Sequence, residues 1–294
     1  MLAVSLRANL LVTKTIRDHL EVTMTTTLLP DTDADAESTD STDSTDSLSS
    51  LRRGLALLDL FSARDHELSV SEMARRAHIP KSTTHRLVAD LISWGALERG
   101  RTGVHLGVRL FELGSLVTTP RTLRDLAVPF AHNLNEVTRL TSNLAVREGT
   151  EIIYIEKISS RTLKVPHSRL GGRAALHATG LGKAILAFSS PDFVDEMLNR
   201  ELVAKTPKTI TQSAVLRQEL EEIRVSKVAY DVEESRLGMF CVAAPIFASR
   251  NIVVGAISVT GATALSQAQL FAPAVRTTAL ALSRALGSQR ANFG

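Results

Sequence analysis

Cysteine is nearly absent from this chain, since Cys241 is the single cysteine in 294 residues. One cysteine can form neither an internal disulfide nor a thiolate metal cluster, and such scarcity is typical of a protein in a reducing cytoplasm. The eight histidines lack the i, i+4 spacing of a metal-binding helix, so we expect neither a metal nor a cofactor. Runs of eighteen apolar residues are also absent, so no membrane span is predicted.

Basic residues are missing from residues 31–50, which hold six Asp and one Glu and contribute −7 to a formal net charge of +3. Three Ser-Thr-Asp triplets repeat between Ser38 and Asp46. Because this composition offers little apolar surface to bury, residues 1–49 are predicted to be a disordered acidic extension. Residues 51–110 hold ten Lys or Arg against six Asp or Glu, a basic balance that suits binding to a polyanion.

Residues 69–95 show the pattern of two short amphipathic helices joined by a tight turn. The first helix is predicted from about Val70 to Ala77, with Ser69 or Ser71 as its cap. The second is predicted from about Lys81 to Trp94. Two such helices form a helix-turn-helix, whose second helix can enter the major groove of DNA.

The second helix has one apolar and one polar face. Leu87, Leu91 and Trp94 recur at helical spacing, so their face is predicted to pack inward. The residues predicted to meet base edges and phosphates are Lys81, Ser82, Thr83, His85 and Arg86. The segment that follows, residues 96–106, is predicted to be a β-hairpin wing, with Arg99 and Arg101 placed for backbone or minor-groove contact.

The remaining chain predicts a linker and a second domain. A linker helix is expected over Leu106–Thr119, ended by Pro120, and another helix over 122–138. Strands are predicted at 141–147, 151–157, 228–233, 240–247 and 252–260, and helices at 178–189, 191–200, 213–225 and 267–287. Antiparallel strands with helices packed on one side indicate an α+β domain. The predicted domains are a DNA-binding domain at 50–106, a linker at 107–120 and a second domain at 121–290.

Six motifs, in this order, carry a family resemblance. They are Ser69-Val-Ser-Glu-Met-Ala, Pro80-Lys-Ser-Thr-Thr-His-Arg-Leu, Leu176-His-Ala-Thr-Gly-Leu-Gly-Lys-Ala, Asp231-Val-Glu-Glu-Ser, Cys241-Val-Ala-Ala-Pro and Ala256-Ile-Ser-Val-Thr-Gly. From about Ser50 onward, the chain resembles the IclR family of bacterial transcriptional regulators. The resemblance implies a winged helix-turn-helix, a linker helix and a GAF-like domain that binds a small effector. It also implies homodimers or tetramers, and operator DNA as the partner.

The resemblance carries an effector site over by position. It implies backbone contacts at Gly180 and Leu181, and side-chain contacts from Asp231, Cys241, Ser258 and Thr260, with a small carboxylate as the effector. Free amides at a glycine-rich turn leading into a helix suit an anion. Asp231 is awkward beside an anion, so it must be protonated, turned to a neighbouring donor or bridged by water.

The sequence departs from the family pattern at several turns. His78 and Lys227 stand where glycine is usual in the family, and His78 can adopt positive φ better than most residues, though at some cost. Leu181 is bulkier than the alanine often found there, and Ala248 replaces an acidic or amide residue. The changes at His78, Lys227 and Ala248 touch turns rather than the proposed pocket, whereas Leu181 changes the mouth of that pocket.

Two alternatives to an effector-controlled regulator remain open. Cys241, His177 and Asp231 contain the parts of a thiol nucleophile system, although an isolated cysteine is more often a small buried hydrophobe. The other alternative is an architectural DNA binder that needs no effector. The interpretation favoured by the residues is a cytoplasmic transcription factor that is not an enzyme.

Overall fold

The structure is a computed structural model that describes residues 49–62, 64–160, 168–262 and 265–291. The chain divides into two compact units, Met1–Arg52 and Arg53–Gly294, and only residues 49–52 of the first unit are described. The acidic extension predicted at 1–49 therefore lies, up to residue 48, outside the described residues.

The winged helix-turn-helix consists of three helices and a hairpin. The helices are α1 (Ser50–Leu58), α2 (Val70–Ala77) and α3 (Lys81–Trp94), and the strands are β1 (Leu97–Arg99) and β2 (Val104–Leu106). The predicted bounds of α2 and α3 and the predicted hairpin are confirmed. Leu57, Met73, Leu87, Leu97 and Val104 form a buried core between these elements, which fixes α3 against α2 and the hairpin.

Two details of this domain follow from the ends of its helices. The Ser69 hydroxyl accepts a hydrogen bond from the Glu72 amide and caps α2, which satisfies one of the amides that the helix leaves unbonded.

The prediction that Trp94 packs inward is wrong, because its side chain is 54% exposed. Trp94 is the last residue of α3 and lies beside the Arg109 guanidinium, 5.9 Å from the ring centre.

The predicted linker helix is shorter than expected. Helix α4 covers only Val108–Gly114, and helix α5 runs from Thr118 to Thr138. The prediction that Pro120 ends a helix is wrong, because Pro120 is the third residue of α5. Proline is tolerated in a first turn, where the missing amide has no carbonyl of the helix to bond to.

A six-stranded antiparallel sheet forms the centre of the C-terminal domain. Its strands are β3 (Thr141–Glu148), β4 (Glu151–Ile158), β5 (Arg173–Ala175), β6 (Ala229–Val232), β7 (Phe240–Phe247) and β8 (Val253–Gly261). Their order across the sheet is β5-β4-β3-β8-β7-β6, and every neighbouring pair is antiparallel. The five predicted strands are confirmed, whereas β5 has too few residues to give an alternating pattern.

Helices cover both faces of this sheet. Helices α6 (Gly180–Leu186), α7 (Pro191–Leu198) and α8 (Ser213–Ser226) contribute to one apolar cluster, and α5 and α9 (Leu265–Ala291) to the other. The prediction of helices on one side only is therefore wrong. The reason lies in β7, where every residue from Phe240 to Ile246 is buried, so both faces of the strand need a cover.

Three of the described helices end in residues other than glycine that adopt positive φ, one of them α5 at Arg139 with φ 61°. His78 ends α2 at φ 55° and Lys227 ends α8 at φ 56°. At each end the amide of this residue bonds back to a carbonyl of the preceding turn, Ala74 for His78 and Ile223 for Lys227. The positive φ expected at His78 is confirmed, and Lys227 adopts the same conformation without having been predicted to do so.

Candidate functional site

The exposed face of α3 carries the residues predicted to contact DNA. Lys81, Ser82, His85 and Arg86 are exposed and Thr83 is half-buried. Thr84, between them, is fully buried and its hydroxyl donates to the Pro80 carbonyl at 3.1 Å. The first two turns of α3 thus present polar side chains outward while Leu87 and Val88 hold the helix in the core.

The arginines of this domain differ in whether their charge is already paired. Arg75 and Arg76 on α2 each lie 2.6 Å from the Glu72 carboxylate, and their hydrogen bonds lower the pKa of Glu72 to about 2. Within the described residues, Arg86 and Arg101 form no ion pair. The charges of Arg86 on α3 and Arg101 on the wing are therefore available to a polyanion.

Glu67 holds the wing in place. No motif or spacing in the sequence identifies this residue. Its carboxylate accepts hydrogen bonds from the amides of Thr102 at 2.6 Å and Gly103 at 2.7 Å. These bonds lower the pKa of Glu67. Arg99 and Arg101 remain exposed at the ordered turn. The Glu67 contact joins residues 35 apart in the chain, which explains why no local pattern reveals it.

The first turn of α6 presents two amides toward the sheet. Thr179 caps this helix, because its hydroxyl accepts from the Gly182 amide at 3.0 Å. The amides of Gly180 and Leu181 precede any carbonyl to which their own helix could bond them. A Cβ on Gly180 would lie 3.2 Å from the Cys241 sulfur, so the helix start lies directly over β7.

Strand pairing places the other predicted residues beneath this turn. Asp231 on β6 is opposite Cys241 on β7, and Cys241 is opposite Thr260 on β8. Ser258 precedes Thr260 by two residues and shares its face. All four side chains are buried. The structure therefore brings the six predicted effector residues together at one helix start.

The cavity at this place is small and closed. Its volume is about 10 Å³, which is room for about one water molecule. Leu181, Asp231, Cys241 and Thr260 line it, together with residues that sequence reasoning did not identify, namely Tyr154, Thr179, Ser235, Met239 and Phe240. A larger molecule can enter only if residues that line the cavity move.

Asp231 is turned to neighbouring donors rather than into the cavity. Its Oδ1 accepts from the amides of Glu234 at 2.8 Å and Ser235 at 3.1 Å, and its Oδ2 from the Ser235 hydroxyl at 2.5 Å. Burial raises the pKa of Asp231, and the Ser235 hydrogen bonds oppose that rise. The sequence left three ways for Asp231 to lie beside an anion, namely protonation, a neighbouring donor or a bridging water. The structure shows the neighbouring donors.

Cys241 and His177 do not form an activated nucleophile. Burial raises the pKa of the Cys241 thiol to about 11, although the Ser258 and Thr260 hydroxyls and the Leu181 amide act against it. The His177 ring bonds to the Val203 carbonyl at 3.1 Å, and burial lowers its pKa. A catalytic cysteine needs a lowered pKa or an adjacent base.

A buried ion cluster lies behind the same helix. Lys183 is fully buried, and its Nζ contacts Glu219 and, at 2.6 Å, Glu234. Burial raises the pKa of Glu234 to about 7, the charges of Glu219 and Asp231 add to that rise, and the Lys183 ammonium opposes it. Lys183 is the only charged residue from Gly180 to Leu186. A lone charge in an apolar segment is the sequence signal that could have found it.

Two further site types were searched in the described part of the chain. No group of three or more His, Cys, Asp or Glu side chains there is arranged to hold a metal ion. None of the helices described combines the length and apolar character that crossing a membrane requires.

Comparison with known proteins agrees with this architecture. The helix-turn-helix domain model of IclR matches residues 50–101, and the model of the bacterial transcriptional regulator IclR C-terminal domain matches residues 116–284. The chain is 31% identical to the regulator XynR of Escherichia coli K12 over 244 residues, 81% of this chain and 97% of that protein. It is 34% identical to the repressor IclR of the same strain over 217 residues, 72% of this chain and 79% of that protein.

Solved structures give the same result. An IclR homologue from Microbacterium hydrocarbonoxydans complexed with 4-hydroxybenzoate superimposes with a TM-score of 0.75 at 29% identity, covering 81% of this chain and 99% of that one. The IclR of Thermotoga maritima gives a TM-score of 0.68 at 31% identity, with coverages of 81% and 98%. Both domains, their order and their fold are therefore shared, and this chain belongs to the IclR family of bacterial transcriptional regulators.

Proposed function

We propose that this regulator binds operator DNA through α3 and the wing, and that a small organic acid bound at the start of α6 controls its DNA affinity. The observation that carries the proposal is the start of α6, where the amides of Gly180 and Leu181 have no partner in their own helix and lie over the face of the sheet that carries the buried hydroxyls of Ser258 and Thr260. The complex of the Microbacterium homologue with 4-hydroxybenzoate, itself a carboxylate, supports an organic acid as the ligand class.

The proposed roles are assigned to the domains that the sequence predicts. Residues 50–106 bind DNA, residues 107–120 link the domains, and residues 121–290 bind the effector. The DNA contacts proposed are Lys81, Ser82, Thr83, His85, Arg86, Arg99 and Arg101. Exposure and unpaired charge support Arg86 and Arg101 most directly, since guanidinium groups bind phosphate or a guanine edge.

The DNA interface can be tested on the operator selected from random DNA. Arg86→Ala is expected to weaken binding by about 1–3 kcal/mol if Arg86 contacts a base. Arg101→Ala is expected to weaken binding to all sequences alike and to reduce the salt slope by about one unit, because it removes a phosphate contact. Fluorescence anisotropy at several salt concentrations measures both quantities.

Arg75→Ala is the matched control for these variants. Arg75 is also exposed on the helix-turn-helix, yet its charge is already paired with Glu72, so we expect operator affinity close to that of the wild type. Unchanged affinity in both Arg86→Ala and Arg101→Ala would remove the proposed interface.

The effector site rests on electrostatic complementarity. A helix start favours negative charge through its unbonded amides and its dipole, and the Ser258 and Thr260 hydroxyls can donate to the same carboxylate. Asp231 orders the turn that closes the cavity, and Cys241 contributes the wall opposite Gly180. Binding changes DNA affinity only if the two domain arrangements differ in their affinity for the acid.

Loss of a hydroxyl should weaken this site selectively. Ser258→Ala is expected to weaken binding of an organic acid found by thermal-shift screening by about 1.5–3 kcal/mol, the range for hydrogen bonds to charged groups. DNA affinity without the acid should stay unchanged. Calorimetric titration measures the first quantity, and equal affinity for wild type and a Ser258→Ala/Thr260→Val double variant would place the site elsewhere.

Self-association is part of the proposal. Val108, Phe111 and Leu116, on and just beyond α4, are 62%, 76% and 69% exposed, and apolar surface of this extent favours association. A homodimer presents two recognition helices, so its operator is an inverted repeat. Pairing of two dimers gives the tetramer that the family resemblance implies.

The chain is proposed to act without catalysis or a cofactor, in the cytoplasm. The raised pKa of Cys241 and the engaged ring of His177 count against a thiol enzyme. The architectural alternative predicts the same operator affinity at every concentration of organic acid, so measuring operator affinity by fluorescence anisotropy while the acid is titrated decides between these two functions.

A further inference from the structure

Asn143 lies beside the proposed effector site, although neither its motif nor its spacing marks it. It lies on β3 and is 1% exposed. Its register partner on β8 is Ser258, so the two side chains share the face that α6 covers. The Asn143 Nδ2 donates to the Thr260 Oγ1 at 3.2 Å. This contact directs one end of the amide toward a residue of the cavity wall.

The other end of the amide has no protein partner. Within the described residues, the Asn143 Oδ1 makes no hydrogen bond, and the Ser258 Oγ has no partner other than the Cys241 thiol, whose pKa the Ser258 hydroxyl lowers. Buried polar atoms of this kind are rare in folded proteins because each loses its hydration without compensation. The Asn143 Oδ1 lies on the face of the sheet that α6 covers, so we take it to be completed by a hydrogen-bond donor of a ligand.

The two atoms require different ligand groups. A carboxylate can accept from the amides of Gly180 and Leu181 and from the Ser258 hydroxyl. It offers nothing to the Asn143 Oδ1, which can only accept. The ligand must therefore carry a donor as well as a carboxylate.

A neutral hydroxyl fits this place better than an ammonium group. An ammonium buried here would need an ionised acceptor. Asp231 is the carboxylate that lines the cavity, and both of its oxygens are occupied by Glu234 and Ser235. Neighbouring strands lie about 4.8 Å apart. If the ligand's carboxylate lies over β8, a hydroxyl of the same ligand that reaches β3 is carried by the first or second carbon from the carboxylate.

We propose that Asn143 contacts the effector through Oδ1 and makes this regulator selective for small 2- or 3-hydroxy acids. This inference rests on the effector site proposed above and adds to it the class of acid. The selectivity follows because an acid without the hydroxyl would leave the buried oxygen unbonded, which a site built for a hydroxyl rejects.

The test compares matched acids on the purified full chain by calorimetry. The probes are lactate against propionate and 3-hydroxybutyrate against butyrate. For at least one pair, the hydroxy acid is expected to bind the wild type about tenfold or more tightly than its deoxy partner. Asn143→Leu is expected to abolish that preference by weakening the hydroxy acid while leaving the deoxy acid unchanged.

Ser258→Ala separates failure of this inference from failure of the proposed function. It should weaken both members of a pair equally, because it removes a carboxylate contact. If carboxylates bind and respond to Ser258→Ala, yet the wild type does not prefer the hydroxy acid, Asn143 is not selective and only this inference is overturned. If none of the four acids binds, the effector site is overturned with it.

A second variant tests the same preference if Asn143→Leu does not fold. Asn143→Ser keeps a small polar side chain but withdraws the acceptor from its position, so it should also lose the preference. Retention of the preference in either folded variant would contradict the proposal.

Discussion

Replacing Lys183 with methionine is expected to lower the free energy of unfolding by about 3–5 kcal/mol, the cost of removing one partner from a buried ion pair. Lys183 is fully buried and contacts both Glu219 and Glu234. Its loss leaves two carboxylates without their cation, and the Glu234 Oε2 already has no partner within the described residues. Urea denaturation at pH 8, followed by circular dichroism, measures the change.

The matched control removes the two carboxylates as well. A Lys183→Met/Glu219→Gln/Glu234→Gln triple variant buries no charge, so it should recover most of the lost stability. A single variant as stable as the wild type would show that the cluster contributes nothing. A triple variant as unstable as the single one would assign the loss to packing around the Lys183 stem.

The same destabilisation should depend on pH in a defined direction. Burial raises the pKa of Glu234 from 4.5 to about 7 in the folded protein. A carboxyl group with a raised pKa favours the folded state at low pH, and this contribution is lost as pH rises from 4.5 through 7. Lys183→Met removes the cation that limits the rise. The variant should therefore be least stable at pH 8 and recover part of its stability near pH 5.

Gly182→Ala is expected to destabilise the C-terminal domain by about 3 kcal/mol, the upper end of the range for overpacking. A Cβ at this position would lie 2.1 Å from the Leu176 carbonyl oxygen and 2.7 Å from its carbonyl carbon. Both atoms belong to the backbone, so no side-chain rotation can relieve the contact. Relief requires the first turn of α6 to move, and with it the amides of Gly180 and Leu181. Thermal denaturation measures the loss, and binding of organic acids should be lost as well.

Gly287→Ala provides the control for this substitution. Gly287 lies within α9 and a Cβ there would meet nothing within 4 Å. Alanine should therefore be neutral or stabilise the helix by up to about 1 kcal/mol. Equal stability of the Gly182→Ala variant and the wild type would mean that α6 does not approach the Leu176 carbonyl this closely.

The sequence alone determined the elements whose causes are local. The bounds of α2 and α3 were predictable because a capping serine, helical spacing and the terminal Gly95 lie within one segment. Strand alternation likewise predicted that Ser258 and Thr260 share a face, since residues two apart in a strand always do. The left-handed turn at His78 followed from the family pattern, in which glycine is usual at that position.

Only the tertiary structure decided which distant groups meet. The Asn143 amide bonds to Thr260 across 117 residues of sequence, because β3 pairs with β8 rather than only with its neighbour in the chain. Glu67 orders the wing, and Lys183 meets Glu234, for the same kind of reason. The sequence did not predict the second helical layer over β7. A continuously apolar strand indicates that both of its faces are buried, but it does not indicate which helices cover them. Local chemistry specifies an element and its faces, whereas register and packing choose its partners.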